Sequence, residues 1–150
     1  MKIKLELSEA RYQSIKDQLL NLGLTIDDTA DLILIERESF VDYLMVIEPA
    51  TNELVRLNVN DIIFIESYGH NVEVHTQKET YKTSQRLYHL ISVLNPQRFL
   101  RISNSVIISK NSVKKIKPTF SSKFILTLSN DKVVDVTRSY YTLFKEYFNL

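Results

Sequence analysis

Cysteine and tryptophan are absent from this chain, and glycine occurs only twice, at Gly23 and Gly69. Without cysteine there can be no disulfide, no thiolate nucleophile and no thiolate-bound zinc, and the absence is compatible with a reducing cytoplasm, where we place the chain. Two isolated glycines leave a glycine-rich phosphate cradle nothing to build on. No run of about 18 apolar residues occurs, so no membrane-spanning helix is expected. The opening Met1-Lys2-Ile3-Lys4-Leu5-Glu6-Leu7 puts a glutamate inside what would be the apolar core of a secretory signal, so none is expected either. No carboxylate pair or nucleophile motif stands out. The three histidines, His70, His75 and His89, fall in a predicted turn, strand and helix. His70 and His75 are an odd number of residues apart and would point to opposite faces of a continuous strand. These absences argue against an enzyme, and no cofactor or metal site is expected.

What is present suits a folded domain. The 44% hydrophobic and 25% charged residues match a soluble globular protein rather than a disordered one, and 150 residues suffice for one domain with a small appendage. A net charge of +1 hides a division. Residues 1–53 hold 5 Lys and Arg against 11 Asp and Glu, whereas residues 54–150 hold 14 against 7. Such segregation suggests a basic portion that meets a polyanion and an acidic portion that does not.

Lys2–Leu7 alternates apolar and charged residues as a half-buried strand does. Ser8 is placed to cap a helix whose stripe is Ile15, Leu19, Leu20 and Leu22 and which Gly23 ends. Leu32–Ile35 and Tyr43–Ile47 read as strands with a short loop at Glu36-Arg37-Glu38 between them, giving a compact β-α-β-β unit over residues 1–50. Asp27-Asp28 after a helix evokes a phospho-acceptor receiver, but about fifty residues cannot enclose a five-stranded doubly wound core. Glu48–Glu53, with Pro49 and Asn52, reads as the linker.

From Leu54 onward strand follows strand. Asp61–Glu66 and Val72–Thr76 flank a turn at Ser67–Asn71, and Thr80–Thr83 is a third short strand. Ser84 to Leu94 reads as a helix capped by Ser84, with Leu87, Leu90, Ile91 and Leu94 on one face, stopped by Asn95-Pro96. Val113–Lys117 is a further strand. Phe124–Leu128 and Lys132–Val136 form a hairpin about Ser129-Asn130-Asp131. Tyr141, Leu143, Phe144 and Phe148 suit a last, partly apolar helix. Between helix and hairpin lies Phe99–Asn111, where a polar knuckle from Arg101 to Ser105 meets the β-branched run Val106-Ile107-Ile108. Ser-Asn-Ser favours a turn through local side-chain hydrogen bonds, and the same short amide and hydroxyls suit contact with a ligand. Phe99, Leu100, Ile102, Val106 and Ile108 are the expected core of this stretch.

The succession of these pieces resembles the LytTR DNA-binding domain of bacterial transcription regulators over residues 54–150. It is carried by Asp61–Glu66, Val72–Thr76, the Ser84/Leu87 helix entry, Phe99–Ser105, the Lys114/Ile116 strand and Val136-Thr137-Arg138-Ser139-Tyr140. The resemblance implies an elongated, mostly β fold with short helices, whose loops rather than a recognition helix enter successive major grooves of bent DNA. By motif position it places base contacts on His70, Asn104 and Arg138. It places backbone contacts beside them on Ser105, Lys110, Lys114, Ser139 and Tyr140, and further off on Lys82 and Ser84. Arginine can pair bidentately with guanine and asparagine with adenine, whereas a neutral histidine is a less discriminating reader. Ile108-Ser109-Lys110 stands where many relatives carry a Val-Asn-Leu-like tripeptide.

The expected function is thus that of a cytoplasmic, sequence-specific transcription regulator without a receiver. Its partner would be double-stranded promoter DNA with directly repeated half-sites. Residues 1–50 would serve regulation or dimerisation, with a homodimer and an inhibitory integral membrane protein as the implied protein partners. The alternative is a protein-interaction module whose basic half docks an acidic partner, as strand addition at a sheet edge would permit.

Overall fold

The computed structural model describes residues 1–36 and 40–150, and its chain divides into two compact units, Met1–Phe40 and Val41–Leu150. In the first, β1 (Lys2–Glu6) is the middle of a parallel sheet between β2 (Thr25–Ile26) and β3 (Leu32–Ile35), with α1 (Glu9–Asn21) as the crossover. Ser8 holds the cap position of α1, yet both its hydroxyl and its N–H donate to the Glu36 carboxylate, at 2.8 and 3.1 Å. Gly23, at φ +82°, ends the helix. Its N–H reaches Leu20 O at 3.0 Å and that of Leu24 reaches Leu19 O at 3.1 Å, the paired bonds of a left-handed cap.

The expected stripe of α1 does not become a core. No residue of α1 is buried, and Leu20 and Leu22 stay 47% and 77% exposed, because three short strands offer too little surface to cover them. Asp27 is a structural carboxylate: it accepts from the N–H and hydroxyl of Thr29, at 2.8 and 2.7 Å, and pairs with Lys2 at 3.2 Å. These bonds, Thr29's first, hold its pKa down at about 2. The loop expected at Glu36-Arg37-Glu38 falls partly on residues 37–39, outside the described residues.

The second unit is built on an antiparallel seven-stranded sheet of order β5-β4-β8-β7-β6-β10-β9. Its strands are β4 (Tyr43–Ile47), β5 (Leu54–Asn58), β6 (Phe64–Tyr68), β7 (Asn71–His75), β8 (Thr80–Thr83), β9 (Phe99–Arg101) and β10 (Val106–Ser109). Two expectations change here. The strand Tyr43–Ile47 does not belong with the first fifty residues, since it pairs along its whole length with β5 and touches β8 through Ile47. The presumed linker is the turn of that hairpin: Glu48 N–H donates to Glu53 O at 2.9 Å, and Asn52 sits at φ +58°. Proline and asparagine break regular structure in tight turns and in linkers alike, so composition could not separate the two.

Both faces of the sheet are covered. On one, Ile65, Val72, Val74 and Ile107 pack with Leu87, Leu90 and Leu94 around α2 (Leu87–Val93). On the other, Phe64, Val106 and Ile108 pack with Leu126, Leu128, Val136 and Phe144. These come from the antiparallel sheet of β11 (Val113–Pro118), β12 (Phe124–Leu128) and β13 (Val133–Val136), and from α3 (Tyr141–Phe148). Strand β10 is buried at every position, which explains its unbroken apolar run. Helix α2 begins later than expected: Arg86 takes the cap position, and the Thr83 hydroxyl, not that of Ser84, accepts the Gln85 N–H at 3.1 Å. Leu143 of α3 is 54% exposed, while Phe144 is fully buried against Phe124, with ring centroids 5.0 Å apart. Truncating Phe144 to alanine removes a core aromatic, a change that costs about 3–5 kcal/mol.

Two outcomes follow. A chain lacking residues 1–40 should unfold cooperatively in urea. One lacking residues 1–50 loses β4 and bares Val55 and Leu57, and it should show a much lower midpoint or no cooperative transition. Asp27 stabilises its turn above its ordinary pKa of 3.8, and that contribution is lost as pH falls toward about 2. Amide protection in β1 and β3 should fall through that window, and Asp27→Asn should remove the pH dependence.

Candidate nucleic-acid interface

The knuckle after β9 is a turn closed partly by its own bonds. The Ser103 hydroxyl, itself largely buried, accepts the Ser105 N–H at 3.2 Å. Arg101 folds over the turn, donating from Nε to Ser103 O at 3.1 Å and from Nη2 to Asn104 O at 2.7 Å. Ile102 is fully buried on the near side and Val106 on the far side, so the loop is anchored at both ends. What the anchored loop presents outward is Asn104 and Ser105, both exposed. A turn held by its own bonds and the exposure of Asn104 and Ser105 are therefore compatible.

Two neighbouring loops are tied to it. Ser67 N–H, on β6, donates to Ser105 O at 2.8 Å. Just beyond, β6 and β7 are joined by the two-residue turn Gly69-His70, where Gly69 takes φ +59° and His70 stands exposed. On the other side, Thr137 N–H donates to Ile102 O at 3.0 Å, which pins the end of β13 to the knuckle. The next residues form the 3-10 turn Arg138–Tyr140, with Arg138 and Ser139 exposed. The Tyr140 hydroxyl lies 3.3 Å from Asn104 Oδ1 and donates to it. Asn104 and Arg138, far apart in sequence, thus project from segments bonded to each other, and the hairpin bearing His70 is bonded to the same knuckle.

The supporting residues divide. Ser105 and Ser139 are exposed directly beside Asn104 and Arg138. Lys114 is exposed and paired with Asp131 at 3.0 Å, a surface ion pair of the kind worth under about 1 kcal/mol and easily exchanged. Lys110 is exposed as well, and its ammonium lies over the Tyr147 ring, 4.8 Å from the centroid, and 6.0 Å from that of Phe148. Burial pushes the Tyr147 phenol up to about 12, and its hydroxyl has no hydrogen-bond partner. Lys82 and Ser84 are exposed on and just after β8, and neither enters the bonds that join the three loops. Arg101 and the Tyr140 hydroxyl organise the loop, roles that no sequence signal marks because they depend on contacts with main-chain carbonyls and across 36 positions of chain.

One polar cluster lies on the same sheet. His75 is buried, stacked on Phe64 at 4.1 Å between centroids, with Nε2 3.0 Å from a Glu66 oxygen and 3.5 Å from one of Glu73. Its Nδ1 is 3.2 Å from the Thr80 hydroxyl. The phenol of Tyr68 is held protonated well above its usual range, first by its hydrogen bond to Glu73. One atom from each of Glu66, Glu73 and His75 falls within 4.8 Å of the others, so these are the described residues that could hold a metal ion.

In this β-rich domain the knuckle is bonded both to the strand that leads to His70 and to the segment that carries Arg138. The chain belongs to the family of the LytTr DNA-binding domain, whose model matches residues 52–149. It is similar to the sensory transduction protein LytT of Bacillus cereus, 32% identical over 92 residues that make up 61% of this chain and 37% of that protein. It is also similar to the transcriptional regulatory protein YpdB of Escherichia coli K12, 30% identical over 93 residues, 61% of this chain and 38% of that one. The matched region spans under two-fifths of these relatives' length. Among solved structures, the LytTr DNA-binding domain of a putative methyl-accepting/DNA response regulator from Bacillus cereus superimposes with a TM-score of 0.69. It shares 21% identity and covers 73% of this chain and 99% of that one, which supports the fold.

The placement of Lys110 has a consequence for measurement. Lys110→Gln should destabilise the second unit by about 0.5–1 kcal/mol, the usual worth of a cation–π contact at an exposed site. A thermal melt checks that loss, and a salt titration of DNA binding checks the backbone contact, whose removal should flatten the salt slope by about one unit.

Proposed function

We propose that this chain is a sequence-specific, DNA-binding transcription regulator that reads successive major grooves through its loops. The observation that carries the reading is the set of bonds from the knuckle to Ser67, Thr137 and Tyr140. They support the reading by joining the Asn104 loop to the segment that carries Arg138 and to the strand that leads to His70. In this reading Arg138 takes a guanine edge, Asn104 an adenine edge, and His70 a less selective contact. Ser105, Ser139 and Lys114 meet phosphates, with Lys82 and Ser84 at the margin. The surplus of Lys and Arg over residues 54–150 supplies the attraction to the polyanion.

The binding site on DNA would consist of directly repeated half-sites. The unit Met1–Phe40 would serve regulation or dimerisation in place of a receiver. What supports the dimer is its edge strand β3, where Leu32, Ile33 and Leu34 are 52%, 40% and 37% exposed. Sheet edges of that kind are templates for pairing. An inhibitory integral membrane partner belongs to the same reading and rests on the resemblance alone. Among the described residues no helix is long and apolar enough to cross a membrane.

The test is a gel-shift titration against the protein's own promoter and a random duplex over a range of salt. Tighter binding to the promoter, weakening steeply with salt, is the expected result. Equal binding to both duplexes would sink specific regulation through that promoter and favour an acidic protein partner for the basic half. Arg138→Ala and Asn104→Ala should each lose about 1–3 kcal/mol and relax preference at one base position. Lys114→Ala should weaken all sequences alike and flatten the salt slope by about one unit.

A further inference from the structure

Asparagine is an ambiguous reader by itself. Its amide presents an acceptor and a donor of nearly equal size, and a half-turn about the last side-chain bond exchanges them. Adenine offers a donor at N6 and an acceptor at N7 in a set order, so a bidentate contact needs the amide facing one way. An exposed amide with no internal partner would spend part of its time facing the other. In this chain Asn104 is exposed, but its Oδ1 accepts the Tyr140 hydroxyl at 3.3 Å.

We propose that Tyr140 is a positioning residue that sets the facing of the Asn104 amide and thereby the base preference at the position Asn104 reads. The proposal rests on Asn104 being a base contact. Tyr140 is itself held in place. Its ring is partly buried against the core that contains Phe124 and Phe144, and its N–H donates to Thr137 O at 2.9 Å. Thr137 is in turn bonded to Ile102 O, at the base of the loop that carries Asn104. Arg101 fixes the main chain of that loop through Ser103 O and Asn104 O. The backbone of Asn104 is therefore held before any ligand arrives, and the phenol, a better donor than acceptor, favours the facing that turns Oδ1 toward it. The Oδ1 atom keeps a second lone pair, and Nδ2 keeps its two hydrogens, for the base. Pre-orientation of this kind favours the matching base because the ordering cost has already been met in folding.

Tyr140 as a phosphate contact, the role its motif position implies, makes a different forecast. A phosphate contact is blind to sequence, so its loss weakens every duplex equally. Removing a positioning hydroxyl weakens one base choice. Tyr140→Phe separates the two, because it keeps the ring in the core and deletes only the oxygen.

The experiment uses the full chain. Bound sequences are first selected from a random DNA pool. Affinities of wild type, Tyr140→Phe, Asn104→Ala and the double variant are then measured on the selected site and on its single-base variants. At the position where Asn104→Ala relaxes preference, Tyr140→Phe should reduce discrimination about three- to tenfold, the worth of one side-chain hydrogen bond. Other positions should hold their ratios, and the double variant should be no less selective there than Asn104→Ala alone. Uniform weakening of all duplexes by Tyr140→Phe, with every ratio intact, would overturn the proposal and return Tyr140 to a phosphate. Intact ratios at unchanged affinity would overturn it as well. If Asn104→Ala relaxes no position, the reading of Asn104 as a base contact falls, and this inference falls with it.

Discussion

Strand β10 is buried on both faces, and the site depends on that constraint. Ile107 enters the core with α2, while Val106 and Ile108 enter the core with α3. A strand clamped from both sides cannot slip its register without exposing one set of side chains, since a one-residue shift exchanges the faces. Its partners β6 and β9 inherit that register, with Ile107 opposite Ile65 and Arg101. The loop between β9 and β10, which carries Asn104, is therefore held at both ends by strands of fixed register.

Polar bonding then propagates the placement outward. The knuckle offers its main-chain groups to β6 and to the end of β13, and Arg101 closes it from within. Each bond alone contributes about a kilocalorie net. Together they convert two cores of aliphatic and aromatic side chains into a defined spacing between exposed polar ones. The Glu66, Glu73 and His75 cluster sits on the same sheet near the hairpin, with the imidazole next to two opposed carboxylates. Like charges directly across a sheet repel, and His75 Nε2 lies 3.0 and 3.5 Å from an oxygen of each of these two carboxylates.

Much of this was legible from the residues. Leu32–Ile35, Tyr43–Ile47, Thr80–Thr83 and Phe124–Leu128 were read at their observed bounds, because periodicity and β-branched content speak directly to strands. Turn chemistry marks the segments of His70 and Asn104 as exposed, whereas Arg138 is singled out only by the family resemblance. Errors arose where two structures share one local signal. Pro49 and Asn52 mark a hairpin turn as readily as a linker, and Ser84 precedes a helix without capping it. The stripe of α1 has the pattern of a core face, but Ile15 and Leu19 are only half-buried and Leu20 and Leu22 stay exposed.

The sequence by itself determined which segments are strands and helices, where the charge lies, and which side chains have the chemistry to touch DNA. These are local properties, set by periodicity, turn residues and side-chain type. Only the tertiary structure decided that β4 joins the seven-stranded sheet and that Lys110 lies on aromatic rings. It also decided that Tyr140 reaches back to Asn104. Each of these is a pairing between positions distant in the chain, chosen by competition among partners whose local signals are equivalent.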